Sequence, residues 1–118
     1  YYPNMQDLLY CADILISDYS SCMWDFSLTN KPIFVFSPDL QEYNQYPGFF
    51  MDICDWPYPI SRNNEELVDN ILVFDYEKYQ RDNENCMMKL KSYENKDSTK
   101  KCVDWILKKH SNIWKLNY

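Results

Sequence analysis

Asp13-Ile14-Leu15-Ile16-Ser17-Asp18-Tyr19-Ser20-Ser21-Cys22-Met23-Trp24-Asp25-Phe26-Ser27-Leu28 is the stretch from which this chain can be read. The apolar run Ile14-Leu15-Ile16 is uncharged, rich in β-branched residues and stops at Ser17-Asp18, which predicts a buried strand over 14–17. Two serines then open a helical pattern over 20–29, with Cys22, Met23, Phe26 and Trp24 toward one side. Asn30-Lys31-Pro32 ends it, because the residue before a proline is driven out of the helical region. Residues 33–37 (Ile-Phe-Val-Phe-Ser) form a second apolar run, closed by Pro38. Strand, helix and strand within 13–38 predict a βαβ core with parallel strands and a right-handed crossover. Neither run alternates with polar residues, so both strands are expected to be covered on both faces.

Working outward, residues 5–12 predict a short helix with Leu8, Leu9 and Ala12 on one side. Residues 39–61 predict an irregular aromatic loop, in which Tyr43, Tyr46, Phe49, Phe50, Trp56 and Tyr58 lie among Pro47, Gly48, Pro57 and Pro59. Gly48 is the only glycine and marks a point of positive φ. Such a loop is either a cleft wall or a segment pinned by its own rings. Asn63 followed by Glu66 has capping-box spacing and starts a helix to about Phe74, with Leu67, Ile71 and Phe74 inward. A polar helical stretch spans 76–93. In the last helix Cys102, Val103, Ile106, Leu107, His110, Ile113 and Trp114 recur at three- and four-residue steps as an inward seam. Lys100, Lys101, Lys108, Lys109 and Lys115 take the other face, and helices thus fill 63–115. Two strands are too few for a free-standing sheet. Either a third short strand forms near 49–53, or residues 1–118 are one partial α/β domain. The second reading is favoured, and the start at Tyr1-Tyr2-Pro3 without a Met agrees with a piece of a longer protein.

Composition fits a folded chain: 46% of residues are hydrophobic and 18% aromatic, with eleven Tyr and four Trp, which argues for a packed domain with an aromatic-rich surface or cleft and against disorder. No signal peptide is recognised, and no apolar run approaches the ~20 residues that span a bilayer. Five cysteines, an odd count without Cys-x-x-Cys, support neither a disulfide framework nor a zinc site. Cys11, Cys22 and Cys102 sit among apolar neighbours and read as buried thiols, which points to a reducing cytoplasm. Charge is uneven. Residues 1–88 carry four Lys or Arg against fifteen Asp or Glu, a net −11, whereas residues 89–118 carry eight Lys against three acids, a net +5. The acidic body argues against nucleic acid. The basic end reads as a solvated helix face or as a contact for an anionic surface, including a membrane leaflet.

A strand that ends in hydroxyl residues at a helix start is a place to hold a phosphate, because the first helix amides lack internal partners and the dipole favours an anion. Ser20 and Ser21 are the candidate donors; an ordinary helix-capping role is the alternative. Asp18 repels a phosphate unless it orients a neighbour, so its expected role is positioning. Asp25 lies five residues after Ser20 and suits the two hydroxyls of a ribose; an exposed helix carboxylate is the alternative. The single histidine, His110, reads as packed on the last helix. Without clustered ligands no metal site is expected, and neither a GxGxxG nor a P-loop occurs.

These residues carry a family resemblance. Ala12-Asp13-Ile14-Leu15-Ile16-Ser17-Asp18-Tyr19-Ser20-Ser21, then Asp25-Phe26, then Asn30-Lys31-Pro32-Ile33 resemble the C-terminal part of the CDP-glycerol glycerophosphotransferases, the teichoic acid primases and polymerases of bacteria. The likeness continues through Asp39-Leu40-Gln41-Glu42-Tyr43, Gly48-Phe49-Phe50-Met51-Asp52, Pro59-Ile60, Glu65-Glu66-Leu67 and Asp97-Ser98-Thr99-Lys100-Lys101. The resemblance implies a GT-B architecture, two Rossmann-like domains facing across a cleft, of which this chain is part of the donor-nucleotide domain. It implies transfer of glycerol phosphate (ribitol phosphate in relatives) from a CDP-alcohol to a hydroxyl of a polymer or lipid-linked acceptor. The donor CDP-glycerol is a substrate, and no further cofactor is implied. Members work as peripheral proteins at the cytoplasmic face of the membrane. Ser20 and Ser21 inherit the donor pyrophosphate, Asp25 the ribose, and Lys101 a phosphate contact.

The sequence also departs from the family pattern. Tyr58 replaces a frequent Gly before Pro-Ile, a usual Gly is absent from Glu94-Asn95-Lys96, and Lys101 stands for an Arg whose bidentate grip a lysine does not reproduce. The family's catalytic histidines have no match here, so catalysis is expected to need the missing N-terminal half of the enzyme. Two alternatives remain: a GT-B enzyme with a nucleotide-sugar donor, or a non-catalytic module that docks through its basic last helix.

Overall fold

In the computed structural model, residues 4–46 and 48–114 are described, with side chains up to Lys109. The chain runs α1 (Met5–Cys11), β1 (Leu15–Ser17), α2 (Cys22–Ser27), β2 (Ile33–Phe36), α3 (Leu40–Gln45), a 3-10 turn (Ile53–Asp55), β3 (Ile60–Ser61), α4 (Asn64–Leu72), α5 (Tyr76–Lys89) and α6 (Ser98–Trp114). The expected βαβ core is present, and β1 pairs parallel to β2 with Leu15 opposite Ile33 and Ser17 opposite Val35. A third parallel strand forms, but at Ile60–Ser61 and not near 49–53, with Val35 opposite Ile60 and Phe36 opposite Ser61. The sheet order is β1-β2-β3.

Local chemistry explains the boundaries. Asn30 adopts φ 57°, and its amide donates to the Ser27 carbonyl at 3.0 Å, so α2 stops before Pro32 can enter it. Lys31 Nζ then donates to the carbonyls of Tyr10 (3.1 Å) and Ala12 (2.7 Å), placing a cation at the C-terminal end of α1. Asn63 caps α4: its Oδ1 accepts from the Glu66 amide at 2.9 Å, while the Glu66 carboxylate accepts from the Arg62 amide at 2.7 Å. Gly48 has φ 80°, as expected, and its amide donates to the Tyr43 carbonyl at 2.9 Å just past α3.

The core gathers Met23 and Phe26 of α2, Ile33 and Val35 of β2, Leu9, Ile53, Trp56, Tyr58 and Tyr79. Phe34 points to the other face and meets Phe74, ring centroids 5.0 Å apart. β2 is therefore covered on both faces, as expected. β1 is not: Leu15 is half-buried, but Ile14 and Ile16 are 49% and 50% exposed, and among the described residues β1 is an edge strand paired with β2.

Other expectations need correction. The loop at 39–61 holds α3, the 3-10 turn and β3, so only parts of it are irregular. The last helix does form, but among the described residues its seam is not buried: Cys102, Val103, Ile106 and Leu107 are exposed. His110, Ile113, Trp114 and Lys115 lie outside the described side chains. Of the thiols read as buried, Cys11 and Cys102 are exposed and Cys22 is half-buried, whereas Cys86 on α5 is the buried one. In α4, Leu67 is partly covered but Ile71 is exposed, and the helix ends at Leu72, short of the partly covered Phe74.

Candidate functional site

Parallel strands present their carboxyl ends along one edge, and open α/β sheets bind ligands just outside that edge. Here the strands end in serine three times: Ser17 closes β1, Ser37 follows β2, and Ser61 closes β3. Ser37 and Ser61 are fully buried and tie the edge together, with the Ser37 amide donating to the Ser61 carbonyl at 2.7 Å and Asn70 Nδ2 donating to Ser61 Oγ at 2.9 Å. Beyond them, Asp18–Ser21, Pro38–Asp39 and Arg62–Asn63 form the three loops of the edge.

The first of these loops contains the predicted phosphate residues. Asp18 Oδ1 accepts from the Ser20 amide at 3.0 Å, which closes a turn in the loop. Ser20 Oγ accepts from the Cys22 amide at 3.5 Å, a long bond that leaves the Ser20 O–H free to donate outward. Ser21 stands at the N-cap position of α2, yet its hydroxyl makes no capping bond. Both serines are exposed. The simple capping alternative thus applies weakly to Ser20 and not to Ser21. α2 has only six residues, so the hydroxyls rather than a long dipole would have to recognise an anion.

Tyr19 donates its hydroxyl to Asp39 Oδ1 at 2.9 Å, which bridges the loops after β1 and β2. Its pKa is pushed up to about 12, chiefly by burial, with the bonded Asp39 carboxylate next and the Asp18 charge adding. Its ring meets Tyr43 of α3 at 4.0 Å and Phe49 at 5.2 Å between centroids.

Asp25 is exposed on α2, and its carboxylate has no hydrogen-bond partner among the described residues. Lys101 is not brought to the serine loop. It lines a separate depression on α6 with Tyr93, Glu94 and Ser98. Arg62 had no predicted role, because a two-residue strand at 60–61 was not expected; it lies beyond β3 and lines a cavity of about 290 Å³ with Pro38, Asp39, Leu40, Gln41 and Glu42. Ile14-Leu15-Ile16-Ser17 and Ile33-Phe34-Val35-Phe36-Ser37, two apolar runs that each end in Ser, were the signal for the first two loops of this edge. A larger cavity of about 720 Å³ lies elsewhere, between Trp56–Pro59 and α5. Among the described residues no group of three or more His, Cys, Asp or Glu could hold a metal ion. No described helix is long and apolar enough to cross a membrane.

Residues 1–108 match the family described as CDP-glycerol:poly(glycerophosphate) glycerophosphotransferase. The chain belongs to that family. Among curated relatives, a teichoic acid glycerol-phosphate primase of Bacillus subtilis is 41% identical over 76 residues, 61% of this chain and 19% of the relative. A teichoic acid glycerol-phosphate transferase of Staphylococcus aureus is 36% identical over 76 residues, 63% of this chain and 20% of the relative. A teichoic acid poly(ribitol-phosphate) polymerase of Bacillus spizizenii is 32% identical over 68 residues, 57% of this chain and 11% of the relative.

The solved structure of the wall teichoic acid polymerase TagF superposes with a TM-score of 0.75 at 27% identity, covering 99% of this chain and 29% of TagF. A histidine-to-asparagine variant of TagF soaked with CDPG superposes with a TM-score of 0.73 at 28% identity, covering 99% of this chain and 29% of that one. This chain therefore spans a tenth to a fifth of its curated relatives and under a third of TagF. Its fold is an α/β part of a GT-B type fold with a helical C-terminus.

Proposed function

We propose that this chain is the donor-binding C-terminal part of an enzyme that moves glycerol phosphate, or a related polyol phosphate, from a CDP-alcohol to a polymer or lipid-linked acceptor in teichoic-acid-like synthesis. The observation that carries this reading is the β1–α2 loop. Its Ser20 and Ser21 hydroxyls are exposed at the carboxyl edge of the sheet and uncommitted as donors, while the nearby carboxylates of Asp18 and Asp39 accept bonds from the protein. In the reaction an acceptor hydroxyl oxygen forms a bond to the phosphorus that bears glycerol, the bond from that phosphorus to the CMP oxygen breaks, and CMP leaves with the electron pair. Ser20 and Ser21 would hold charge on the departing phosphate. Asp25 would hold the ribose hydroxyls. Lys101 reaches a phosphate in this reading only if another part of the enzyme brings α6 to the cleft. The remainder of the enzyme supplies the other wall of that cleft and the base that takes the acceptor proton.

The test is a titration of the chain with CDP-glycerol, followed by NMR at the amides of residues 17–26. Localised shifts, with CMP a weaker competitor and UDP- and CMP-sugars weaker still, support the reading. In a Ser20→Ala/Ser21→Ala variant affinity should fall about 10- to 100-fold, the loss of one or two hydrogen bonds to a charged group. Unchanged affinity removes the serines from the site.

A second reading concerns α6, whose apolar residues Val103, Trp105, Ile106 and Leu107 are exposed beside Lys100, Lys101, Lys108 and Lys109. A basic amphipathic helix of this kind suits the inner, anionic membrane surface. Pelleting with vesicles that contain anionic lipid, lost at high salt and with neutral vesicles, supports it; equal pelleting with both vesicle types counts against it.

A further inference from the structure

Tyr19 stands at the centre of the serine loop, and its partners come from the neighbouring loops. Asp39 occupies the N-cap position of α3 but gives that helix no side-chain cap. Its carboxylate accepts the Tyr19 hydroxyl at 2.9 Å instead, across twenty residues of sequence. The Tyr19 ring packs on Tyr43 and Phe49, and those two rings meet each other at 5.0 Å. A hydrogen bond and three rings thus fasten the loop after β1 to the corner after β2. On the other side of Tyr19, the Asp18–Ser20 bond closes the turn.

We propose that Tyr19 is a positioning residue: its hydroxyl, held by Asp39, and its ring, held by Tyr43 and Phe49, keep Ser20 and Ser21 aimed at one phosphate group of a nucleoside diphosphate donor. This rests on the donor-site reading above. Two physical consequences favour it. The loop is ordered before the donor arrives, so binding costs less conformational freedom. The bond also occupies one oxygen of Asp39 with a donor, which softens the repulsion that a bare carboxylate at this edge would exert on a phosphate.

The test uses the 118-residue chain as Tyr19→Phe, Asp39→Ala and the double variant. Tyr19→Phe keeps the ring contacts and removes only the hydroxyl. Amide hydrogen exchange at residues 19–21 should quicken about fivefold or more in each single variant, and the double variant should exchange no faster than the singles, the non-additivity of one shared bond. CDP-glycerol should bind about 5- to 10-fold more weakly to Tyr19→Phe, in which the bond is lost and the Asp39 carboxylate is left bare. A purely structural role would lower the melting temperature without this coupled, local change. Exchange that is unchanged, or additive in the double variant, overturns the proposal whether or not the donor binds. Failure of the unaltered chain to bind CDP-glycerol counts against the donor reading itself, whereas binding that persists undiminished in Tyr19→Phe overturns the positioning role alone.

Discussion

At the scale of single residues, the half-buried Tyr19 and the buried Tyr58 and Tyr79 should make the chain sensitive to alkali. The Tyr19 pKa is pushed up to about 12, mainly by burial, and burial also pushes up Tyr58 and Tyr79. Tyr79 further donates its hydroxyl to the Lys31 carbonyl at 2.8 Å, a bond that its phenolate could not make. A phenol with a raised folded-state pKa keeps its proton longer folded than unfolded. Its contribution to stability is whole below the unfolded value of about 10 and is lost as pH climbs through the folded value. The melting temperature should therefore hold below about pH 10 and fall progressively toward pH 12, and Tyr79→Phe, which begins lower, should fall less steeply. A melting curve indifferent to pH over that range contradicts the assignment. The serine motif was legible in the sequence because a strand, two hydroxyls and a helix start follow one another directly. The Tyr19–Asp39 bridge was not, since its partners are joined only by the parallel pairing of β1 and β2.

Among the elements, α5 illustrates what sequence patterns miss. Its composition is mostly polar, so the stretch 76–93 promised little more than a helix. Yet Asn83 is buried, and its Nδ2 donates to the Ser27 carbonyl at 3.1 Å and to Asn30 Oδ1 at 3.0 Å, joining α5 to the left-handed end of α2. Truncation by Asn83→Ala would remove both bonds and leave a space where the buried amide sits, with the Ser27 carbonyl keeping only the Asn30 amide, at a cost of about 1–3 kcal/mol. Urea denaturation should read that loss, while Arg81→Ala, on the exposed side of the same helix, should stay within about 0.5 kcal/mol. Equal effects from the two would mean that the α5–α2 contact carries no stability. The βαβ core was readable because β-branched runs and a proline stop act locally. β3 was hidden because two residues are too short to show a period, and its existence depends on β2 lying alongside.

For the whole molecule, the radius of gyration is 18.6 Å, against the about 13.5 Å of a compact chain of this length. The longest dimension is 65 Å, and the seventeen residues of α6 make a rod about 25 Å long. Periodicity marked its seam correctly as apolar, but only tertiary packing decides whether a seam is buried, and within the described residues this one is not. Its exposed apolar face, together with Ile14 and Ile16 on the open edge of β1, means that the body draws its stability from α2, β2, the aromatic cluster and α5. Deleting residues 98–118 should therefore lower the melting temperature by less than about 4 °C, the equivalent of about 1 kcal/mol. It should also make the protein more soluble, because a large exposed apolar patch leaves with the helix. Calorimetry on the shortened chain decides the matter. A drop of well over 10 °C would place α6 inside the cooperative unit and would require its apolar residues to be covered in the chain itself.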